Sequence, residues 1–220
     1  MKKKFQRVVI VAAGTLHKKF LDDISKHDFV IGVDRGALWL IRHEKVPEVA
    51  LGDFDSVNKS ELQEIKARVK HVEEYPSQKD KTDLELAVDE SIKLRPKEVV
   101  IYGAIGTRFD HTFAAIGLLL KLESHNIYGQ IVDNFNKIHI VRRQETISTS
   151  VYRYISVLPL TNRATITLTG FVYNATRLTL PRTSTRGISN EIKDAQAIIS
   201  VHTGRVLVIW SSDSGTMGVF

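Results

Sequence analysis

Apolar positions along this chain keep two different rhythms. In the first part, short apolar and β-branched runs at residues 7–13, 29–33, 48–51, 98–102 and 127–132 alternate with stretches of helical spacing at 59–70, 82–94 and 111–122. Within 82–94 the apolar face is Leu84, Ala87, Val88 and Ile92, and Thr82 followed by Glu85 fits a capping box, so the helix should begin there. Strand–helix alternation predicts an α/β fold, a doubly wound, mostly parallel sheet, in which ligands bind beyond the carboxyl ends of the strands. From about residue 145 the rhythm becomes two-residue or continuous: Ala164-Thr165-Ile166-Thr167-Leu168-Thr169, Arg177-Leu178-Thr179-Leu180 and Val206-Leu207-Val208-Ile209-Trp210, punctuated by Gly170, Pro181, Gly187 and Gly204. Ser and Thr rise from 10 in residues 1–144 to 21 in residues 145–220. The expected organisation is an α/β domain over 1–144 and an all-β sandwich over 145–220.

Composition narrows the class. The chain has 220 residues, 43% hydrophobic and 25% charged, which is ordinary globular make-up with enough length to bury a core without staples. It has no cysteine, so a disulfide framework, a thiolate nucleophile and Cys-ligated zinc are excluded. The apolar run 8–13 that follows Met1-Lys2-Lys3-Lys4 is too short for a signal-peptide core, and no stretch reaches the roughly 18 apolar residues of a membrane span. A cytoplasmic protein with no membrane partner is expected. The net charge of +6 is spread evenly, with 24 basic and 21 acidic groups in 1–144 and 7 and 4 in 145–220. No dense Lys/Arg block is interleaved with aromatics, so nucleic acid is not the expected partner, although a basic chain favours small polyanions such as nucleotides.

Four turns carry candidate chemistry. Leu51-Gly52-Asp53-Phe54-Asp55-Ser56 directly follows a strand; on extended backbone Asp53 and Asp55 point to one side, where they can share a hard cation, while Phe54 points into the core. Asp80-Lys81-Thr82-Asp83 opens a helix. Thr82 as cap and Asp83 in the first turn explain themselves without function, yet Asp83 at the strand ends would complete a three-carboxylate Mg²⁺ site. Tyr102-Gly103-Ala104-Ile105-Gly106-Thr107-Arg108-Phe109-Asp110-His111 runs from strand to helix. There, backbone N–H groups and a guanidinium suit phosphate oxygens, and Asp110 can equally be the helix N-cap. Val33-Asp34-Arg35-Gly36-Ala37 follows the second strand. Any one of these is a common turn; four in succession point to a phosphate and Mg²⁺ site. The absence of G-x-x-x-x-G-K-[ST] closes the P-loop route.

Together these motifs resemble the thiamine pyrophosphokinase family, in order and over nearly the whole chain. Gly52-Asp53-Phe54-Asp55-Ser56 matches its GDFDS signature unchanged, Asp80-Lys81-Thr82-Asp83 fits D-x-T-D, and Gly106-Thr107-Arg108-Phe109-Asp110-His111 fits G-x-R-x-D-H. Val33-Asp34-Arg35-Gly36-Ala37 is similar to its ADGGA-like turn, Gly170-Phe171-Val172-Tyr173 to G-L-K-[YW], and Gly187-Ile188-Ser189-Asn190 to G-x-S-N. Arg35 stands where the family has glycine, Val172 where it has lysine, and Asn174 where proline often follows. The resemblance implies pyrophosphoryl transfer from ATP to thiamine and a homodimer with thiamine between subunits. It implies Mg²⁺ on Asp53, Asp55 and Asp83, and a nucleotide surrounded by Asp34, Gly36, Asp80, Thr82, Gly103, Gly106, Arg108 and Asp110. Tyr173, Ser189 and Asn190 would meet thiamine.

Two readings of other classes remain open on the residues alone. A Mg²⁺-dependent phosphohydrolase would use Asp53 as nucleophile, but such a D-x-D usually follows the first strand and this one follows the third. An RNA- or nucleotide-binding module would use the +6 charge.

Overall fold

The computed structural model describes residues 5–148 and 150–213, which divide into two compact units after Asp133. In the first, β1 (Arg7–Val11), β2 (Phe29–Val33), β3 (Val49–Gly52), β4 (His71–Glu74), β5 (Glu98–Tyr102) and β6 (Tyr128–Val132) pair in parallel in the order β4-β3-β2-β1-β5-β6. The central strands are buried on both faces, with Val8, Val9, Ile10, Val99, Val100 and Ile101 fully inaccessible. That is why their sequences read as unbroken apolar runs and not as alternation. The helices are α1 (Phe20–Asp23), α2 (Arg35–Arg42), α3 (Lys59–Arg68), α4 (Asp83–Lys93) and α5 (Phe109–Ser124). As the capping pattern predicts, α4 starts at Thr82, whose Oγ1 accepts from Glu85 N–H at 3.2 Å. α5 begins earlier than the periodicity suggests: Arg108 is its N-cap, with no side-chain cap, and Asp110 lies in its first turn.

The chain builds outward from β1 to β4 and then returns to β5 on the other side. The strand order therefore reverses between β1 and β5, and a crevice opens at their carboxyl ends. All four motif turns of this unit lie at that end.

The second unit begins at Asn134. β7 (Asn136–Val141) pairs antiparallel with β13 (Val206–Ser211), which pairs with β9 (Tyr154–Pro159). Opposite them β8 (Gln144–Ser148), β10 (Arg163–Thr169), β11 (Ala175–Pro181) and β12 (Gln196–Thr203) form an antiparallel sheet in the order β11-β10-β12-β8. Ile155, Val157, Val206 and Val208 from one sheet meet Ile166, Leu168, Ala197 and Ile199 from the other in one core, so this unit is a β-sandwich. Because β7 pairs with β13, the structural break falls ahead of the change in composition at residue 145. The strict alternation of β10, buried at every second residue, is what made this half legible.

Candidate active site

Three carboxylates converge at the strand ends of the first unit. One oxygen each of Asp34, Asp53 and Asp83 lies within 4.8 Å of the others. Asp34 follows β2, Asp53 follows β3, and Asp83 opens α4. Their placement depends on an unusual backbone. Gly52 has φ 148°, and a Cβ there would stand 1.9 Å from Asp34 Oδ1, so only glycine lets the two turns approach. Phe54 is held at φ 54°, a strained conformation for a bulky residue, while its ring is buried against Ile65, Val69 and Ala50. Its N–H donates to Asp34 Oδ1 at 3.1 Å, tying the third strand's turn to the second's.

The turn after β3 is therefore not extended, and Asp55 does not join Asp53 in the convergent group. Asp55 is exposed, lies outside the convergent group, and gives its N–H to Asp53 Oδ1 at 3.2 Å. Asp34 takes the third place beside Asp53 and Asp83.

A cation of the chain's own stands in the cluster. Lys79 Nζ lies 3.1 Å from Asp53 Oδ2 and 3.2 Å from Asp83 Oδ1, and donates to the carbonyl of Pro76 at 3.1 Å. The contact with Asp83 is an ion pair without hydrogen-bond geometry, which leaves that buried oxygen with no donor. Burial works against the Lys79 ammonium, but the hydrogen bond to Asp53 and the charges of Asp83 and Asp53 outweigh it and raise its pKa. For Asp53, burial pushes upward and is overcome by hydrogen bonds from Asp55 and Lys79, so its pKa is lowered. Asp34 goes the other way: burial first, then the charge of Asp83, push its carboxyl up to about 7. One ammonium does not neutralise three carboxylates. An oxygen-only donor set with an undonated buried oxygen and a surplus of negative charge fits a hard divalent cation such as Mg²⁺.

At the crevice between β1 and β5 the loops after the two strands are held together by backbone hydrogen bonds. Gly14 N–H donates to Gly103 O at 2.8 Å and Thr15 N–H to Ile105 O at 2.9 Å, interlocking the loops after the two strands. A Cβ on Gly36 would meet Val11 O at 2.1 Å, so the first turn of α2 lies against the end of β1. The close approach thus belongs to Gly36, while Arg35 is exposed. Gly106 lies beside Gly14. At the start of α5, Arg108 and Asp110 form an exposed pair, with Nη2 2.6 Å from Oδ2 and Nε 3.3 Å from Oδ1. The hydrogen bond from Arg108 lowers the Asp110 pKa. Asp80 is exposed and Thr82 is spent on capping α4. Lys79 and the Gly14 loop were missed by sequence reasoning. A lysine next to D-x-T-D and a glycine closing the first strand were the available signals.

In the second unit the sequence-predicted trio is also adjacent. Asn190, 6% exposed, has its Oδ1 accepting from Tyr173 N–H at 3.0 Å and from Glu191 N–H at 3.0 Å, while its Nδ2 donates to Tyr173 O at 2.8 Å. Its backbone pairs with Ile155 in both directions. The amide thus clamps the backbone of Tyr173 and leaves that ring 71% exposed, with Val172 and Ile188 exposed nearby in sequence. Ser189 sits at φ 56°, and its N–H donates to Ser156 Oγ at 3.0 Å. Tyr173 and Ser189 are exposed, while Asn190 is buried and holds the backbone of Tyr173.

Comparison with known proteins covers both units. Residues 20–131 match the family model "Thiamin pyrophosphokinase, catalytic domain", and residues 136–208 match "Thiamin pyrophosphokinase, vitamin B1 binding domain". A thiamine pyrophosphokinase of Bacillus subtilis is 33% identical over 93% of this chain and 98% of its own. The crystal structure of thiamine pyrophosphokinase from Bacillus subtilis superposes with a TM-score of 0.88 at 33% identity, covering 94% of this chain and 99% of that one. That of the Geobacillus thermodenitrificans enzyme superposes with 0.85 at 31% identity, covering 96% and 99%.

Proposed function

Since the chain belongs to the thiamin pyrophosphokinase family, we propose the following division of labour among its residues. The reaction is transfer of the pyrophosphoryl group of ATP to the hydroxyl of thiamine. The hydroxyl oxygen bonds to the β-phosphorus, the bond from that phosphorus to the α–β bridging oxygen breaks, AMP leaves with that oxygen, and the hydroxyl proton is released. The observation that carries the assignment of roles is the convergence of Asp34, Asp53 and Asp83 at the carboxyl ends of the strands.

Asp34, Asp53 and Asp83 would hold Mg²⁺, with Asp55 orienting Asp53 through its N–H. A bound Mg²⁺ supplies charge neutralisation on the phosphate oxygens. Backbone groups of the loops around Gly36, Gly103 and Gly106 line the nucleotide position at the strand-order reversal, and Asp80 and Thr82 flank it. Arg108 offers its guanidinium fork to a phosphate and is kept aimed by Asp110. In the second unit the exposed Tyr173 ring offers a stacking face for thiamine and Ser189 a hydroxyl.

The protein is further proposed to act as a homodimer in the cytoplasm. Phe109 and Phe113 on α5 are 75% and 61% exposed, which is surface a second copy of this chain would cover. Among the described residues no helix is long and apolar enough to cross a membrane.

The test is one incubation of protein with Mg-ATP and thiamine, followed by separation of nucleotides and thiamine esters. AMP and thiamine diphosphate in equal amounts are expected. ADP with thiamine monophosphate would overturn the reaction type, and an aspartyl-phosphate with no thiamine-dependent product would restore the phosphohydrolase reading.

A further inference from the structure

The net charge of +6 is not shared between the two units. Residues 1–133 carry 21 Lys and Arg against 21 Asp and Glu, and residues 134–220 carry 10 against 4. Within the second unit the strand register gathers much of this excess at one end. Val206 pairs with both Val141 and Pro159, Thr203 with Thr165, and Arg163 with Pro181. The β7–β8, β9–β10 and β12–β13 turns therefore meet, bringing Arg142, Arg143, Arg163, Arg182 and Arg205 to the same end of the sandwich.

The turns there are tied to one another. Leu160 N–H donates to Arg205 O at 2.9 Å, Arg205 N–H to Thr161 Oγ1 at 3.3 Å, and Arg182 N–H to Asn162 O at 2.9 Å. Between them lies a cavity of about 340 Å³ lined by Arg142, Arg143, Arg205, His202 and Thr161. The segments that form this end, 141–144, 159–163, 181–187 and 201–206, contain no Asp or Glu. They also contain no Phe, Tyr or Trp on which bases could stack.

We propose that this arginine-lined cavity is a binding site for the phosphate chain of a small oligophosphate anion. Guanidinium forks recognise phosphate oxygens bidentately, and several of them on anchored turns match a chain of two or three phosphates better than a single one. The missing aromatic platform separates this site from a single-stranded nucleic-acid surface, where stacking contributes much of the binding. The site is independent of the thiamine reaction and uses none of its residues.

The test is calorimetric titration of the full chain with inorganic tripolyphosphate, diphosphate and phosphate, in excess EDTA so that the carboxylate cluster repels them, at about 100 mM salt. Affinity is expected to fall in the order tripolyphosphate, diphosphate, phosphate. Arg143→Gln with Arg205→Gln should weaken tripolyphosphate at least about tenfold, in line with the loss of charge-assisted hydrogen bonds. The same double variant should keep thiamine turnover within about twofold, since neither arginine touches the reaction. Arg143→Gln alone removes an exposed side chain and keeps the test open should the double variant fail to fold. ATP in EDTA should bind at this site like tripolyphosphate if the phosphate chain alone is read. Unchanged tripolyphosphate affinity in folded Arg143→Gln would overturn the site. An RNA oligomer that binds wild type and is not displaced by tripolyphosphate would also overturn it, and assign this end to nucleic acid.

Discussion

Lys79 stands between Asp53 and Asp83, 3.1 Å and 3.2 Å from their nearest oxygens, in the place a bound cation would share. The apoprotein thus carries a positive charge where charge neutralisation is needed. Lys79→Met should lower the stability of the metal-free protein by about 1 kcal/mol or more, because Asp53 and Asp83 lose their counter-charge. The same variant should bind Mn²⁺ or Mg²⁺ more tightly than wild type. Urea unfolding with and without the ion measures both; equal stability without metal would mean the lysine is incidental.

Asp34 gives the cluster a pH dependence near neutrality. Its folded pKa of about 7 lies above the value of 3.8 for an ordinary aspartate, so between these values the folded state holds a proton that the unfolded state has lost. Stability from this group is therefore greatest at low pH and declines as pH rises towards 7. Divalent-metal affinity should move oppositely, rising by up to about tenfold per pH unit below 7, because the ion must displace that proton. Asp34→Asn should flatten the stability profile over this window, as read by thermal unfolding from pH 5 to 8.

Asp53 and Asp55 should separate in mutagenesis. Asp53→Asn removes a member of the convergent group and is expected to lower kcat by about 100-fold or more. Asp55→Asn keeps the backbone N–H that holds Asp53 and should cost far less. Steady-state assays over a magnesium titration make the comparison. Equal losses would restore Asp55 to the metal.

Asn190→Ala should act on thiamine through Tyr173. Three hydrogen bonds to backbone are lost, so stability should fall by roughly 1–3 kcal/mol. The KM for thiamine should rise about tenfold with little change in that for ATP, as one lost well-made contact predicts. Tyr173→Ala should reproduce the thiamine effect without the stability loss, since the ring is exposed.

Much of this was legible in the sequence, for identifiable reasons. The central strands are buried on both faces and read as apolar runs, and 29–33 and 98–102 agree with β2 and β5. Thr82 announces α4 by local capping chemistry, and β10 declares itself by alternation. Elements without such a signature stayed hidden. β4 is a short strand with little buried side chain, α1 is a single turn, and α2 begins inside what reads as a glycine turn. The carboxylate trio was only partly visible. Whether Asp34 or Asp55 completes the group with Asp53 and Asp83 depends on the positive φ of Phe54 and on Gly52, and a motif spacing carries no dihedral angle. Lys79 shows in the sequence only as a lysine next to D-x-T-D, since its partners are set by the fold around Pro76.

The clamp on Tyr173 bears on how this loop can drift. Its position is enforced by Asn190 in the connection between β11 and β12, and the turn is closed locally by Asn174, whose Oδ1 accepts from Phe171 N–H at 3.1 Å. A side-chain amide here closes a turn that a proline ring would otherwise stiffen. Of the two neighbours of Tyr173 that depart from the family pattern, Asn174 thus carries structural duty, while the Val172 side chain is exposed. Position 172 can therefore drift while the Tyr173 ring stays put, which makes it the natural place to evolve or engineer a changed preference for the proposed ligand.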